Sequence, residues 1–155
     1  MIQIQVISIG KTNEDWVKTG VDKYLKLLSK YVKIDFKELP DVKNANKLSP
    51  EKLKAEEAAL IQQHIPEKSL LILLDEHGAT YTSVEWSNWL TKKSNEFSKW
   101  VFVIGGAYGI DQSLLKKGHC ISLSEMTFNH QMVRAILLEQ LFRAMTIQAG
   151  TSYHH

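Results

Sequence analysis

The residues best suited to chemistry lie in the last third of the chain, at breaks in its apolar pattern. Val101–Ile104 gives way to Gly105-Gly106. Ile121–Leu123 gives way to the polar run Ser124-Glu125-Met126-Thr127-Phe128-Asn129. A long apolar segment from His130 then ends in Tyr153-His154-His155. In α/β proteins, ligands gather where strands give way to loops at their carboxyl ends. Glycines at such a point let a ligand or another backbone approach closely. The backbone groups of the Ser124–Asn129 loop suit hydrogen bonding to a purine-like ring. Taken alone, Gly105-Gly106 is equally a tight turn, and Thr127 or Asn129 equally a helix cap. Of 19 basic residues only Arg134 and Arg143 are arginines, both on the last helix. A planar guanidinium fork holds phosphate or carboxylate in a way lysine does not. Arg134, next to the loop, is expected to do so, and Arg143 to be a surface or interface residue.

Other chemistries are excluded by what the sequence lacks. The spacing G-x-G-x-x-G is absent, and the first strand-to-helix turn is Gly10-Lys11-Thr12, so a dinucleotide fingerprint is ruled out. Six histidines and one cysteine form no HExxH, CxxC or similar ligand spacing, so no metal is expected. No Ser-His-Asp set can be assembled. Cys120 is expected to be a small core residue on a strand, although a nucleophile is possible from its type alone.

The elements that must hold these residues are legible from periodicity. Ile2–Ile9 alternates apolar and polar before Gly10. Asn13 is expected to cap a helix carrying Trp16, Val17, Val21, Tyr24, Leu25 and Leu28. Val32–Leu39 reads as a strand closed by Pro40. Ser49-Pro50-Glu51 combines cap, first-position proline and first-turn acid, a strong helix start. Leu70–Leu74 and Trp100–Ile104 are continuous apolar runs, as in strands buried on both faces of a parallel sheet. Asp75-Glu76-His77-Gly78 is expected to end the first of them in a turn. Helices around Ser83–Phe97 and Asp111–Lys116, a strand at His119–Leu123 and the helix from His130 complete one α/β domain over residues 1–155. In His130–Ile147, 11 of 18 residues are apolar and they occupy two sides. One side fits the sheet; the other is expected to meet a second copy of the chain, the alternative being cover by the N-terminal helix.

Composition bounds the setting. An apolar fraction of 44% and a charged fraction of 23% are ordinary for a globular domain. Met1 leads straight into the first strand, so no signal peptide is expected, and no apolar run spans a bilayer. One cysteine suits a reducing cytoplasm. The net charge of +2 neither announces nor forbids a nucleic-acid partner.

The segments FVIGGAYG, SLSEMTFNHQMVR and LLEQLFRA, with the terminal SYH, resemble the 23S rRNA (pseudouridine-N3)-methyltransferases. These are small single-domain members of the SPOUT class. The likeness runs over the whole chain, from VISIGK onward. It implies a parallel-sheet α/β knot with helices on both faces, whose carboxy-terminal part threads a trefoil knot. It implies S-adenosyl-L-methionine as cofactor, held by Leu74, Gly105, Gly106 and the loop Ser124, Glu125, Met126, Thr127, Phe128 and Asn129. It implies a homodimer in the cytoplasm that methylates N3 of a pseudouridine in the helix 69 loop of 23S rRNA, on the assembled ribosome, with no membrane and no metal. N3 carries a proton that must leave, so His154 and His130 are candidate bases. Tyr153 is a candidate to orient the base, and Arg134 to hold a phosphate or the ring oxygen. Asn129 stands where the family usually has proline, and His155 where it usually has a basic residue. The alternatives are a SPOUT enzyme acting on tRNA or another rRNA site, or a non-catalytic ribosome- or nucleotide-binding module.

Overall fold

Trp100–Ile104 and Leu70–Leu74, the two uninterrupted apolar runs, take the interior of the sheet because they can be buried on both faces. The computed structural model describes all 155 residues. Its elements in chain order are β1 (Gln3–Ile9), α1 (Asp15–Leu28), β2 (Lys33–Leu39), α2 (Pro50–Gln62), β3 (Leu70–Thr80), α3 (Ser83–Ser94), β4 (Lys99–Ile104), α4 (Gln112–Leu115), β5 (His119–Ser122) and α5 (Met132–Gln148). The five strands form one sheet in the order β2-β1-β4-β3-β5, every pair parallel.

Alternation along the strands divides the core in two. Ile4, Val6, Ile72, Trp100 and Phe102 face α1, α3 and α5. There Trp86 meets Phe102 edge to face at 6.1 Å. Ile7, Ile9, Leu39, Leu73, Val101 and Val103 face α2 and α4 through Ala58, Ile61 and Leu114. Burying each such side chain contributes roughly 1.5–3 kcal/mol. The α2 cover reaches only the carboxyl half of that face. Gln3, Lys33, Asp35 and Lys99, at the amino ends of their strands, stay exposed.

Local signals account for several boundaries. Ser49 Oγ accepts from the Lys52 N–H at 3.2 Å with Pro50 in the first turn, as expected. Thr82 and Glu85 form a reciprocal capping box at the start of α3. Others differ from expectation. Asp75–Gly78 does not end β3: the strand continues to Thr80 through a register shift between Leu74 and Ala79 against β5. Gly78 is pressed so close to β5 that a Cβ there would lie 2.6 Å from the Cys120 and Ile121 backbone. Asn13 does not cap α1; its N–H donates to Gln131 Oε1 at 2.7 Å. Cys120 is half-buried on β5 and burial pushes its thiol pKa up, so the core reading holds over a nucleophilic one.

Within the chain, α5 is covered on two sides, including by the N-terminal helix that the sequence left as the alternative to a second copy. α1 and α3 both pack on α5. Leu137, Leu138 and Leu141 are fully buried. Ala135 sits 3.5 Å from the position a Cβ would take on Gly20 of α1.

Candidate functional site

Parallel strands deliver their carboxyl ends to one edge, and three of those ends meet. β3 brings Leu74, at the point where its register against β5 shifts, the turn after β4 brings Gly105-Gly106, and the segment after β5 brings Ser124–Phe128. Together they line a cleft of about 150 Å³ that opens to the surface. Leu74, Gly105, Gly106, Ser124, Met126, Thr127, Phe128 and His130 all line it, whereas Glu125 and Asn129 do not. The Gly106 carbonyl accepts from the Gly109 N–H at 3.1 Å, which closes the turn. In the loop, Ser122 Oγ donates to the Ser124 carbonyl at 2.7 Å and Ser124 Oγ accepts from the Met126 N–H at 3.0 Å. Asn129 Oδ1 accepts from the Gln131 N–H at 2.8 Å, which leads the chain into α5 at Met132, two residues after the expected start at His130. The N–H groups of Thr127 and Phe128 make no hydrogen bond within the chain. An apolar cleft with a few convergent polar groups is the usual form of a small-molecule site.

Arg134 does not face that cleft, which corrects the expectation of a phosphate-holding role. It is 1% exposed. Its Nη1 donates to the Gly10 carbonyl and Thr12 Oγ1, both at 2.9 Å, and Nη2 to the Ile9 carbonyl at 2.8 Å. Glu38 Oε2 lies 3.6 Å from Nη1 and also accepts from the Thr12 N–H. The fork therefore ties α5 to the end of β1. Burial draws its pKa down while Glu38 and Asp41 oppose that shift.

The tail is placed elsewhere. Tyr153 packs edge to face on Phe142 at 4.7 Å and donates its hydroxyl to Glu139 Oε1 at 3.0 Å. Burial, with Tyr24 and Glu139 beside it, holds its phenol above the usual tyrosine range. Arg143 stacks over the Tyr153 ring at 4.9 Å, grips Glu139 through Nε and Nη2, and lies 3.1 Å from His154 Nδ1. Arg143 is ten residues beyond Val133, which lines the cleft. Ten helical residues are about 15 Å. Within one chain, then, His154 and Tyr153 are not brought to the cleft, while His130 is.

A family model described as "Predicted SPOUT methyltransferase" matches residues 2–154. The chain belongs to the SPOUT methyltransferase family. Among its relatives, the ribosomal RNA large subunit methyltransferase H of Flavobacterium johnsoniae is 46% identical over 99% of both chains. Proteins of the same name from Cytophaga hutchinsonii and Geotalea daltonii are 44% and 42% identical, each over 99% of this chain and all of theirs.

The donor set of this SPOUT cleft fits S-adenosylmethionine. Leu74, Ile104, Phe128 and Val133 supply apolar walls for a purine, and the free N–H groups of Thr127 and Phe128 are donors for its ring. Asp75 and Glu76, which also line the cleft, are carboxylates suited to the sulfonium and ammonium charges such a molecule would carry. Those two acids, expected only to make a turn, are residues the sequence reading missed. Glu57 is a second omission. It is 6% exposed, and its carboxylate lies 2.5 Å from where a Cβ on Gly106 would be. A side chain at Gly106 would thus strike Glu57 behind the turn rather than fill the cleft. Its sequence signal is position: Leu53, Glu57 and Ile61 share one helical stripe, so a carboxylate stands among apolar neighbours. Burial and nearby Asp41 push its pKa up to about 7. No cluster of three His, Cys, Asp or Glu residues is placed to hold a metal.

Proposed function

We propose that this chain transfers a methyl group from S-adenosylmethionine to large-subunit ribosomal RNA, at N3 of a pseudouridine in the helix 69 loop. In this reading it acts in the cytoplasm as a homodimer on the assembled ribosome. The observation that carries the proposal is the cleft of Leu74, Gly105-Gly106 and Ser124–Phe128, set in a chain 46% identical to a large-subunit rRNA methyltransferase. The trefoil threading expected from the resemblance belongs to the same proposal. Self-association is supported by Trp16 and Met132, exposed large apolar residues near the amino ends of α1 and α5. No helix is long and apolar enough to cross a membrane.

Bound at the cleft, the cofactor supplies an electrophilic methyl group, and catalysis depends on holding the acceptor nitrogen in line with it. The loop Ser124–Phe128 and the Gly105-Gly106 turn hold the donor side. His130, exposed at the rim, is the chain's own group placed to take the N3 proton; a positioned base contributes typically about 10²–10⁴-fold. A contribution from Tyr153 or His154 would come from the tail of a second copy.

The test is transfer of radiolabelled methyl to ribosomes lacking the modification, followed by mass mapping of the rRNA. Label at one pseudouridine of the large subunit is expected. Cofactor binding without transfer would identify a binding module, and label confined to tRNA would redirect the activity. His130→Ala and deletion of Tyr153–His155, compared in the same assay, assign the base: whichever lowers transfer by about 10²-fold or more with cofactor affinity intact holds that role.

A further inference from the structure

Parallel sheets are ordinarily covered by helices on both faces. This one is not. On the α2 side, the amino-terminal half of β2-β1-β4 is open and forms a cleft of about 460 Å³, larger than the cofactor cleft and at the opposite end of the strands. Its floor carries Gln3 and Gln5 on β1, Lys33, Asp35 and Lys37 on β2, and Lys99 on β4. The pattern follows from alternation: further along the same face these strands present Ile7, Ile9, Leu39 and Val103 to α2. Lys33, Gln3 and Lys99 lie in one row across three strands. With strands about 4.8 Å apart, the two lysine stems stand roughly 10 Å apart with an amide between them. Lys37 follows on β2, about 13 Å beyond Lys33. None of the three lysines forms an ion pair.

We propose that this open half-face binds the phosphodiester backbone of the substrate rRNA, at a second contact remote from the reacting base. The inference rests on the reading that rRNA is the substrate. Three unpaired ammonium groups against the single carboxylate of Asp35 give the face a local positive field, although the whole chain carries only +2. Acids lie instead at the other end of the sheet, where Asp75, Glu76 and Glu57 surround the cofactor turn. Gln3 and Gln5 offer both donors and acceptors, the groups that meet sugars and phosphates. None of the residues that line this cleft is an exposed large apolar side chain of the kind a membrane surface engages. From Gln3 to Ile9 the chain advances about 20 Å, so only a large folded substrate reaches both the face and the cleft.

The test is the triple variant Lys33→Gln, Lys37→Gln, Lys99→Gln. All three side chains are exposed or half-buried and none has a partner to lose, so the fold and cofactor affinity should be retained. With ribosomes as substrate at about 0.15 M salt, KM should rise on the order of tenfold with kcat unchanged, and the slope of log affinity against log salt should fall by about 2. The corresponding triple arginine variant should restore both, and Asp35→Asn should lower KM. Filter binding to protein-free large-subunit rRNA should show the same loss of slope. Unchanged KM and slope would overturn the proposal. A difference seen with ribosomes but absent with protein-free rRNA would also overturn it, in favour of an acidic ribosomal protein. Should the wild type methylate no ribosome, the proposed function fails, while filter binding still decides the face.

Discussion

The two ends of α5 carry the chain's only arginines, and the two have opposite roles. At the amino end Arg134 is sealed from solvent and bonds to the Ile9 and Gly10 carbonyls, holding the end of β1 against α5. At the carboxyl end Arg143 is half-exposed and organises Tyr153, His154 and Glu139. The residue read as functional by its neighbourhood is structural, and the one read as bland orders the titratable tail. A guanidinium's role follows from where its five donors find acceptors, and proximity to a loop does not determine that.

The contrast is tested most severely at Arg134. Arg134→Ala should destabilise the fold by about 3–5 kcal/mol, since it leaves two carbonyls and Thr12 without their donor and Glu38 without its charge partner. Denaturant unfolding measures this. A variant of normal stability that had lost only ribosome methylation would instead place Arg134 on the substrate.

A second effect sharpens the amino-end side, because Glu57 lies behind the turn that lines the cleft. Its pKa is about 7 against an ordinary 4.5, so between those values the native state holds a proton the unfolded chain has released. Stability therefore falls as pH rises through that window and levels off above about 7. At about 1.4 kcal/mol per unit, the full effect is at most about 3.5 kcal/mol. Glu57→Gln should be more stable than the wild type at pH 8, with the difference vanishing near pH 4. Parallel curves for the two proteins would show that Glu57 ionises freely.

The smallest effect belongs to the carboxyl end. Arg143→Ala should cost about 1 kcal/mol or less, because its pair with Glu139 is partly solvated and its stacking on Tyr153 is of similar size. The informative readout is the tail: Tyr153 and His154 resonances should broaden or shift while those of the cleft stay put. A cleft that moved with the tail would merge the two regions into one site.

These outcomes bear on how far the sequence could be read. Strand positions were visible because the apolar runs and alternations are local, and so was the Ser49-Pro50 helix start. Two of the cleft segments, Gly105-Gly106 and the loop from Ser124, were visible as polar breaks after apolar runs, whereas Leu74 entered only through the family resemblance. Arg134 was not, because its acceptors are backbone carbonyls 124 and 125 residues away and any sequence supplies carbonyls. The extension of β3 was hidden by His77-Gly78, which reads as a turn but lies within a register shift after which pairing with β5 resumes at Ala79. The second side of α5 was read correctly as buried, but apolarity alone does not say whether α1 or another molecule covers it.

The β1–Arg134 connection also bears on synthesis. β4 must insert between β1 and β3, so the sheet cannot close until residue 104 is available. The carbonyls of Ile9 and Gly10 then wait for a side chain from the last helix. Nucleation from nearby contacts is fast, whereas these links close loops of more than a hundred residues and are made late. A nascent chain stalled before α5 would expose the apolar surface of β1 and α1, and its native state becomes accessible only once nearly the whole polypeptide has been released.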